Sequence, residues 1–131
     1  HEIGLAISHR KYHLHSAYLI EHSDLPGFSR QEQRTLGALV GGHRMRLKTA
    51  PFNAFRLNTV LMELTILLRI SVLLYRGRSK EQIPMPEIHL NREVITLHFD
   101  PQWINNHALT RHDLKVEQRR LRKVGIDLRY Y

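Results

Sequence analysis

A chain of 131 residues with 42% apolar content can build one modest domain, or one domain with a small appendage, around a real core. The absence of cysteine excludes a disulfide framework and any thiolate metal site. Twenty Lys and Arg against twelve Asp and Glu leave a net charge of +8 with ten histidines beyond it, which favours a polyanionic partner: nucleic acid, an anionic membrane surface or an inorganic phosphate chain.

The chain opens His1-Glu2-Ile3-Gly4 in mid-element and without a methionine, which reads as a fragment or a domain cut from something larger. Nothing resembles a signal peptide, so the cytoplasm is the expected compartment. His1–Ile7 reads as the end of a helix, and Ser8 to Lys11 as a short basic connection. From Tyr12 to about His22, Leu14, Ala17, Tyr18 and Leu19 recur at the helical period. Ser23-Asp24-Leu25-Pro26-Gly27 is a turn. Ser29-Arg30-Gln31-Glu32 fits a capping box, and the helix it opens carries Leu36, Leu39 and Val40 inward before stopping near Gly41-Gly42.

His43-Arg44-Met45-Arg46-Leu47-Lys48 follows as a basic cluster at a helix end, where the helix dipole favours cations by about 0.3–1 kcal/mol each. Pro51 breaks the chain. Leu57 to Tyr75 is then strongly apolar, with Asn58, Thr65, Arg69 and Arg76 just beyond forming one thin polar stripe. Its length would suit a membrane span, but Glu63 and Arg69 near the middle would each cost about 2.5–3.5 kcal/mol there. A core helix wrapped by its neighbours is the expectation. It ends in a second basic group, Arg76-Gly77-Arg78-Ser79-Lys80.

Ile83-Pro84-Met85-Pro86 is the clearest linker, because two prolines so close exclude helix and central strand alike. Beyond it Ile95, Leu97 and Phe99 alternate as a half-buried strand, with Ile88 and Leu90 on a partner strand and Asn91-Arg92 near the turn. Asp100 caps a short helical turn. Thr110 to Val124 is a helix using Leu114, Leu121 and Val124, Gly125 stops it, and Ile126, Leu128 and Tyr130 alternate as a last strand. The fold class is mainly α with a small α+β appendage: a helical domain over 1–82 and a β-β-α-β unit over 87–131.

His9, His22, His89, His98, His107 and His112 have no acid at ligand spacing and read as surface or structural. His1-Glu2, His15 and His43 remain, spread over the first half. The run His1-Glu2-Ile3-Gly4, the stretch His15-Ser16-Ala17-Tyr18-Leu19-Ile20, and Leu39-Val40 before His43-Arg44 resemble the HD phosphohydrolase superfamily. More closely, His1–Lys48, Ser23-Asp24-Leu25-Pro26-Gly27-Phe28 and Leu67–Leu74 look like the C-terminal region of bacterial exopolyphosphatases and guanosine-pentaphosphate phosphohydrolases. That resemblance implies an HD-like helical bundle followed by the small α/β unit.

The departures from the HD pattern carry as much weight. Hard divalent cations need carboxylate oxygens together with imidazole. Here the His-Asp doublet is His1-Glu2, and the position of the late aspartate holds Val72, which has no lone pair. His1, Glu2 and Val72 are therefore read as vestigial ligand positions, and the chain is expected to bind no metal and carry no catalytic residue. The resemblance implies that catalysis, with Mg, belongs to an N-terminal actin-like phosphatase half. This region would hold inorganic polyphosphate, dock on that half and contribute to a homodimer. By position, His43, Arg44, Arg46 and Lys48 match the basic patch of the polymer channel, and Arg76 and Arg78 extend it. The same charge also allows peripheral association with an anionic membrane.

Two other readings stand beside this one. A metal-dependent HD phosphohydrolase would use His1, Glu2 and His15. A nucleic-acid-binding module would use aromatics among cations, here Tyr12, Phe52 and Phe55. Arg119, Arg120, Arg122 and Lys123 near the chain's end read as a solvated helix face, and the choice between polyphosphate and guanosine pentaphosphate stays open.

Overall fold

A computed structural model describes residues 2–44, 47, 58–75, 83–91 and 93–131. Contacts divide the chain into two compact units, residues 1–69 and 70–131. The architecture is mainly helical with a small α/β appendage, as the hydrophobic periods predict.

The first unit contains a 3₁₀ turn, Ile3–Ala6, then helix α1, Tyr12–His22, helix α2, Arg30–Gly42, and the greater part of helix α3, Asn58–Tyr75. The capping box forms: Ser29 Oγ accepts from the Glu32 amide at 3.2 Å, and Glu32 Oε2 accepts from the Ser29 amide at 2.7 Å. Two of the orphan donors at the start of α2 are thereby satisfied. Buried Gln33 closes the far end of α1, its Nε2 donating to the carbonyls of Ile20 at 3.1 Å and Ser23 at 2.7 Å.

Helices α1 and α2 approach closely because their contact is lined by small residues. A Cβ added at Gly37 would lie 2.6 Å from the Glu21 side chain, and one at Gly41 would lie 3.3 Å from Ala17 Cβ. The inward faces differ from those expected. On α1 the buried residues are Tyr12, His13 and Ser16, while Leu14 and Tyr18 are exposed. On α2 they are Gln33, Gly37, Ala38 and Gly42, with Leu36, Leu39 and Val40 only half-buried. Close helix approach selects small side chains at the seam, and the larger apolar ones are displaced to its flanks.

Gly4 is held for the same reason. Its amide donates to the buried Ser16 Oγ at 2.7 Å, and a methyl at this position would overlap the Tyr12 carbonyl oxygen. The 3₁₀ turn is thus fastened onto α1 by backbone contact that tolerates no side chain.

Helix α3 corrects a second expectation. Its apolar sides are not wrapped all round: Val60 is 53% exposed and Leu64 48%. The thin polar stripe turns inward instead, Thr65 being fully buried and Arg69 3% exposed, beside Leu61 and Ile66. Each polar group has its own partner. Thr65 Oγ1 donates to the Leu61 carbonyl at 2.8 Å, and Arg69 Nη1 donates to the Gly42 carbonyl at 2.6 Å. Among the described residues no helix is long and apolar enough to cross a membrane.

The second unit contains the end of α3 and a three-stranded sheet in the order β1 (Glu87–Asn91), β2 (Val94–His98) and β3 (Asp127–Tyr130). Strands β1 and β2 are antiparallel, with Ile88 opposite Leu97 and Leu90 opposite Ile95. Strands β2 and β3 are parallel, as their connection through α4 (Pro101–Asn106) and α5 (Ala108–Arg122) requires. Asp100 Oδ1 caps α4 by accepting from the Trp103 amide at 2.8 Å. Gly125 lies at φ +83° just past α5, a left-handed conformation that suits glycine after a helix end. Ile95, Leu97, Leu114, Leu121 and Leu128 are at most 1% exposed and form the core, each worth about 1.5–3 kcal/mol of burial.

Two substitutions test this account by urea denaturation. Gly4→Ala is expected to lower stability by about 1–3 kcal/mol, the usual cost of forcing volume into a packed site. Arg69→Met keeps the apolar stem and removes the fork; it is expected to cost about 2 kcal/mol, the range for a hydrogen bond to a charged group. An unchanged midpoint for either variant would remove that contact from the account.

Candidate functional site

The C-terminal end of α2 meets the start of α1 in a small cluster of rings. Tyr12, His13 and His43 are all at least nine-tenths buried. The ring centroids of Tyr12 and His43 lie 5.9 Å apart, and those of His13 and His43 lie 6.1 Å apart in an edge-on arrangement. His43 Nδ1 donates to the Val40 carbonyl one turn back, which sets the ring's orientation at the end of α2. Arg44, the next residue, is exposed, and its Nη1 donates to the Tyr12 hydroxyl at 2.8 Å. A phenol from α1 thereby positions a surface guanidinium at the end of α2.

The two imidazoles are held neutral. Burial pushes His13 below its ordinary value of 6.5, and the Arg44 and Arg69 guanidiniums push it further the same way. Burial also lowers His43, partly offset by its hydrogen bond to the Val40 carbonyl, with His13 and Arg44 adding to the fall. Of the run from His43 to Lys48, His43 is therefore a buried neutral ring and Arg44 is an exposed cation. Arg46 and Lys48 lie outside the described residues, as do Arg76 and Arg78.

The alternative metal set is described only in part. Glu2 is exposed and His15 half-buried, Val72 on α3 is half-buried hydrocarbon, and His1 lies outside the described residues. Among the described residues no three His, Asp or Glu side chains converge to hold a metal ion. Tyr12, cited with Phe52 and Phe55 for nucleic acid, is buried here, and the two phenylalanines lie outside the described residues. The other histidines make local contacts: His22 stacks on Tyr18 with ring centroids 4.1 Å apart, and His107 on Trp103 at 4.3 Å.

His13 receives no role from the sequence, although the Arg44 and Arg69 guanidiniums both act on it. It stands two positions before His15 at the end of a run of polar and aromatic residues from Ser8, and the hydrophobic period marks Leu14 rather than its neighbour. Only the tertiary contact with α2 distinguishes it.

A second concentration of charge lies on α5. At 100° per residue, Arg111, Lys115, Arg119 and Arg122 fall within about 80° of one another on a single face. All four are exposed. Arg120, by contrast, pairs with the buried Glu117 at 3.5 Å, and Arg122 reaches Asp127 at 3.9 Å. Like charges at such spacing cost about 0.2–0.5 kcal/mol per pair. The upper end of the row borders an open groove of about 320 Å³ lined by Ala108, Arg111, His112, Lys115, Gln118 and Tyr130.

Comparison with known proteins shows what the chain is similar to. The family model described as "Ppx/GppA phosphatase, domain III" matches residues 1–118. A guanosine-5'-triphosphate,3'-diphosphate pyrophosphatase of Pseudoalteromonas translucida (strain TAC 125) is 36% identical over 126 residues, covering 95% of this chain and 25% of the relative. The protein of the same name from Vibrio cholerae serotype O1 (strain ATCC 39315 / El Tor Inaba N16961) is 38% identical over 125 residues, and that from Vibrio vulnificus (strain YJ016) is 34% identical over 125. The chain spans about a quarter of the length of the curated relatives it matches.

The neutral histidine pair has a consequence for stability. Below pH 6.5 the unfolded chain takes up protons at His13 and His43 while the folded chain resists them, so stability falls with pH. Above 6.5 both states are neutral and the pair adds no pH dependence. The melting temperature followed by circular dichroism is expected to be lower at pH 5.5 than at 7.5, with a smaller difference in His13→Gln. An equal difference in that variant would show that His13 is not one of the groups responsible.

Proposed function

This chain belongs to the Ppx/GppA phosphatase family, and on that premise we propose that it holds a phosphate chain for a hydrolase whose catalytic residues lie elsewhere in the protein. In this reading it is the polyphosphate-holding, C-terminal portion of an exopolyphosphatase. Its partners are inorganic polyphosphate, an N-terminal phosphatase half and a second copy of the protein, in the cytoplasm. Magnesium belongs to that half, since Val72 leaves the late ligand position here without a donor.

The observation that carries the proposal is Arg44. It is exposed at the end of α2, opens the basic run that ends at Lys48, and is held in place by the Tyr12 hydroxyl at 2.8 Å. Ordering a guanidinium before the ligand arrives reduces the entropy lost on binding. Its planar fork suits tetrahedral oxyanions, whereas lysine supplies only a point charge. The net charge of +8 favours the same ligand class, because cations along a groove release the counterions condensed on a polyanion. A second grip on the polymer, away from the cleavage site, would turn rebinding into an intramolecular event and favour successive removal of terminal phosphates.

Titration of labelled long-chain polyphosphate at several sodium chloride concentrations tests this. Affinity is expected to fall steeply with salt, and Arg44→Ala with Arg46→Ala to lower the slope of log K against log salt by roughly two, about one per lost contact. An unchanged slope would take the patch out of the account. Phosphate release by the chain alone with manganese or magnesium, abolished by His15→Ala, would favour the metal-dependent reading instead.

A further inference from the structure

We propose that the outer face of α5, with the groove between its first turns and Tyr130, is a second phosphate-chain site in the other unit of the molecule. The inference takes its ligand class from the reading above, but none of its residues.

Helix electrostatics explain only part of the cationic row. Arg119 and Arg122 stand in the last turns of α5, where the negative end of the helix favours cations. Arg111 and Lys115 have no such explanation. Arg111 lies at the positive end, the first turn contains no acid, and the N-cap His107 makes no side-chain cap. Intrahelical pairing does not explain them either. Among the described residues Arg111, Lys115 and Arg119 make no ion pair, and Asp113 and Glu117 project from the far side of the helix at 100° per residue. A folded chain that places Arg111, Lys115 and Arg119 in a row, with an acid near only its last member, Arg122, is suited to an external anion.

The groove gives the row a built end. Arg111 and Lys115 come from α5 together with the His112 imidazole, and the Tyr130 phenol comes from β3. Gln118 forms a fixed wall, because its Nε2 donates to the Leu128 carbonyl at 2.6 Å and ties α5 to β3. Donors from two elements thus face one open space. From Arg111 to Arg122 the row extends about 16 Å, at 1.5 Å per helical residue. That length exceeds one phosphate group and fits a run of them. Arg111, Lys115, His112 and Tyr130 all carry polar groups at the groove that can contact phosphate oxygens.

The 131-residue chain provides the test, using labelled long-chain polyphosphate across a salt series. Arg111→Gln with Lys115→Gln is expected to weaken binding roughly tenfold at low salt and to lower the salt slope by about two. Arg30→Gln with Arg34→Gln, which removes the same charge from the exposed face of α2, is expected to change either quantity far less. Binding by the α5 variant equal to wild type, or an equal loss in the α2 variant, would overturn the proposal. Loss in the Arg44 and Arg46 variant with none in the α5 variant sinks this inference alone; the reverse sinks only the earlier reading. Amide resonances titrated with tripolyphosphate are expected to shift at Arg111, His112, Lys115 and Tyr130. Shifts with GTP but none with tripolyphosphate would assign the groove to a nucleoside and refute the phosphate-chain site.

Discussion

The first unit depends on placing one charge in its interior. A guanidinium at the Arg69 position is costly to desolvate, and the fold meets that cost with the backbone carbonyl at the end of α2. Gly42 is the last residue of that helix, where carbonyl oxygens have no intrahelical partner. A buried donor and an orphan acceptor therefore settle each other's need, and the contact specifies which turn of α3 stands beside the end of α2. Thr65, one turn earlier on the same stripe, is satisfied within its own helix and adds no such constraint.

The same helix end separates structural from surface chemistry across a single peptide bond. His43 points inward among rings and stays neutral; Arg44 points outward and stays charged. Tyr12 joins the two, its ring packed beside His43 and its hydroxyl accepting from the Arg44 guanidinium. The nearby arginines in turn oppose protonation of His13. The described start of the basic cluster thus resolves into a buried neutral ring, His43, and an exposed cation, Arg44.

Charge in the second unit follows a different logic. The sheet is covered by α5, whose Leu114 and Leu121 are buried together with Leu128 of β3, and that packing fixes the helix's rotation about its own axis. Once Leu114 and Leu121 point at the sheet, the cations of the row fall together on an outward flank, about 70–150° round the helix from them at 100° per residue. The row is a by-product of the core only in its direction; the choice of Arg and Lys at its N-terminal end is not dictated by packing or by the helix dipole.

Much of this was legible in the residues. The capping box from Ser29 to Glu32, the alternation of Ile95, Leu97 and Phe99 and the stop at Gly125 are decided by neighbours within four positions, so local spacing alone determined the elements and their order. The charge balance likewise settled the class of partner worth testing. What tertiary structure decided was which face of each helix turned inward: Tyr12, His13 and Ser16 rather than Leu14 and Tyr18, and the polar stripe of α3 rather than Val60 and Leu64. The reason is that an inward face is selected by how closely the neighbouring element approaches and which unpaired groups it presents. Those properties belong to residues twelve to twenty-seven positions away, as with Gly4 and Ser16 or Gly42 and Arg69, and no period in the sequence records them.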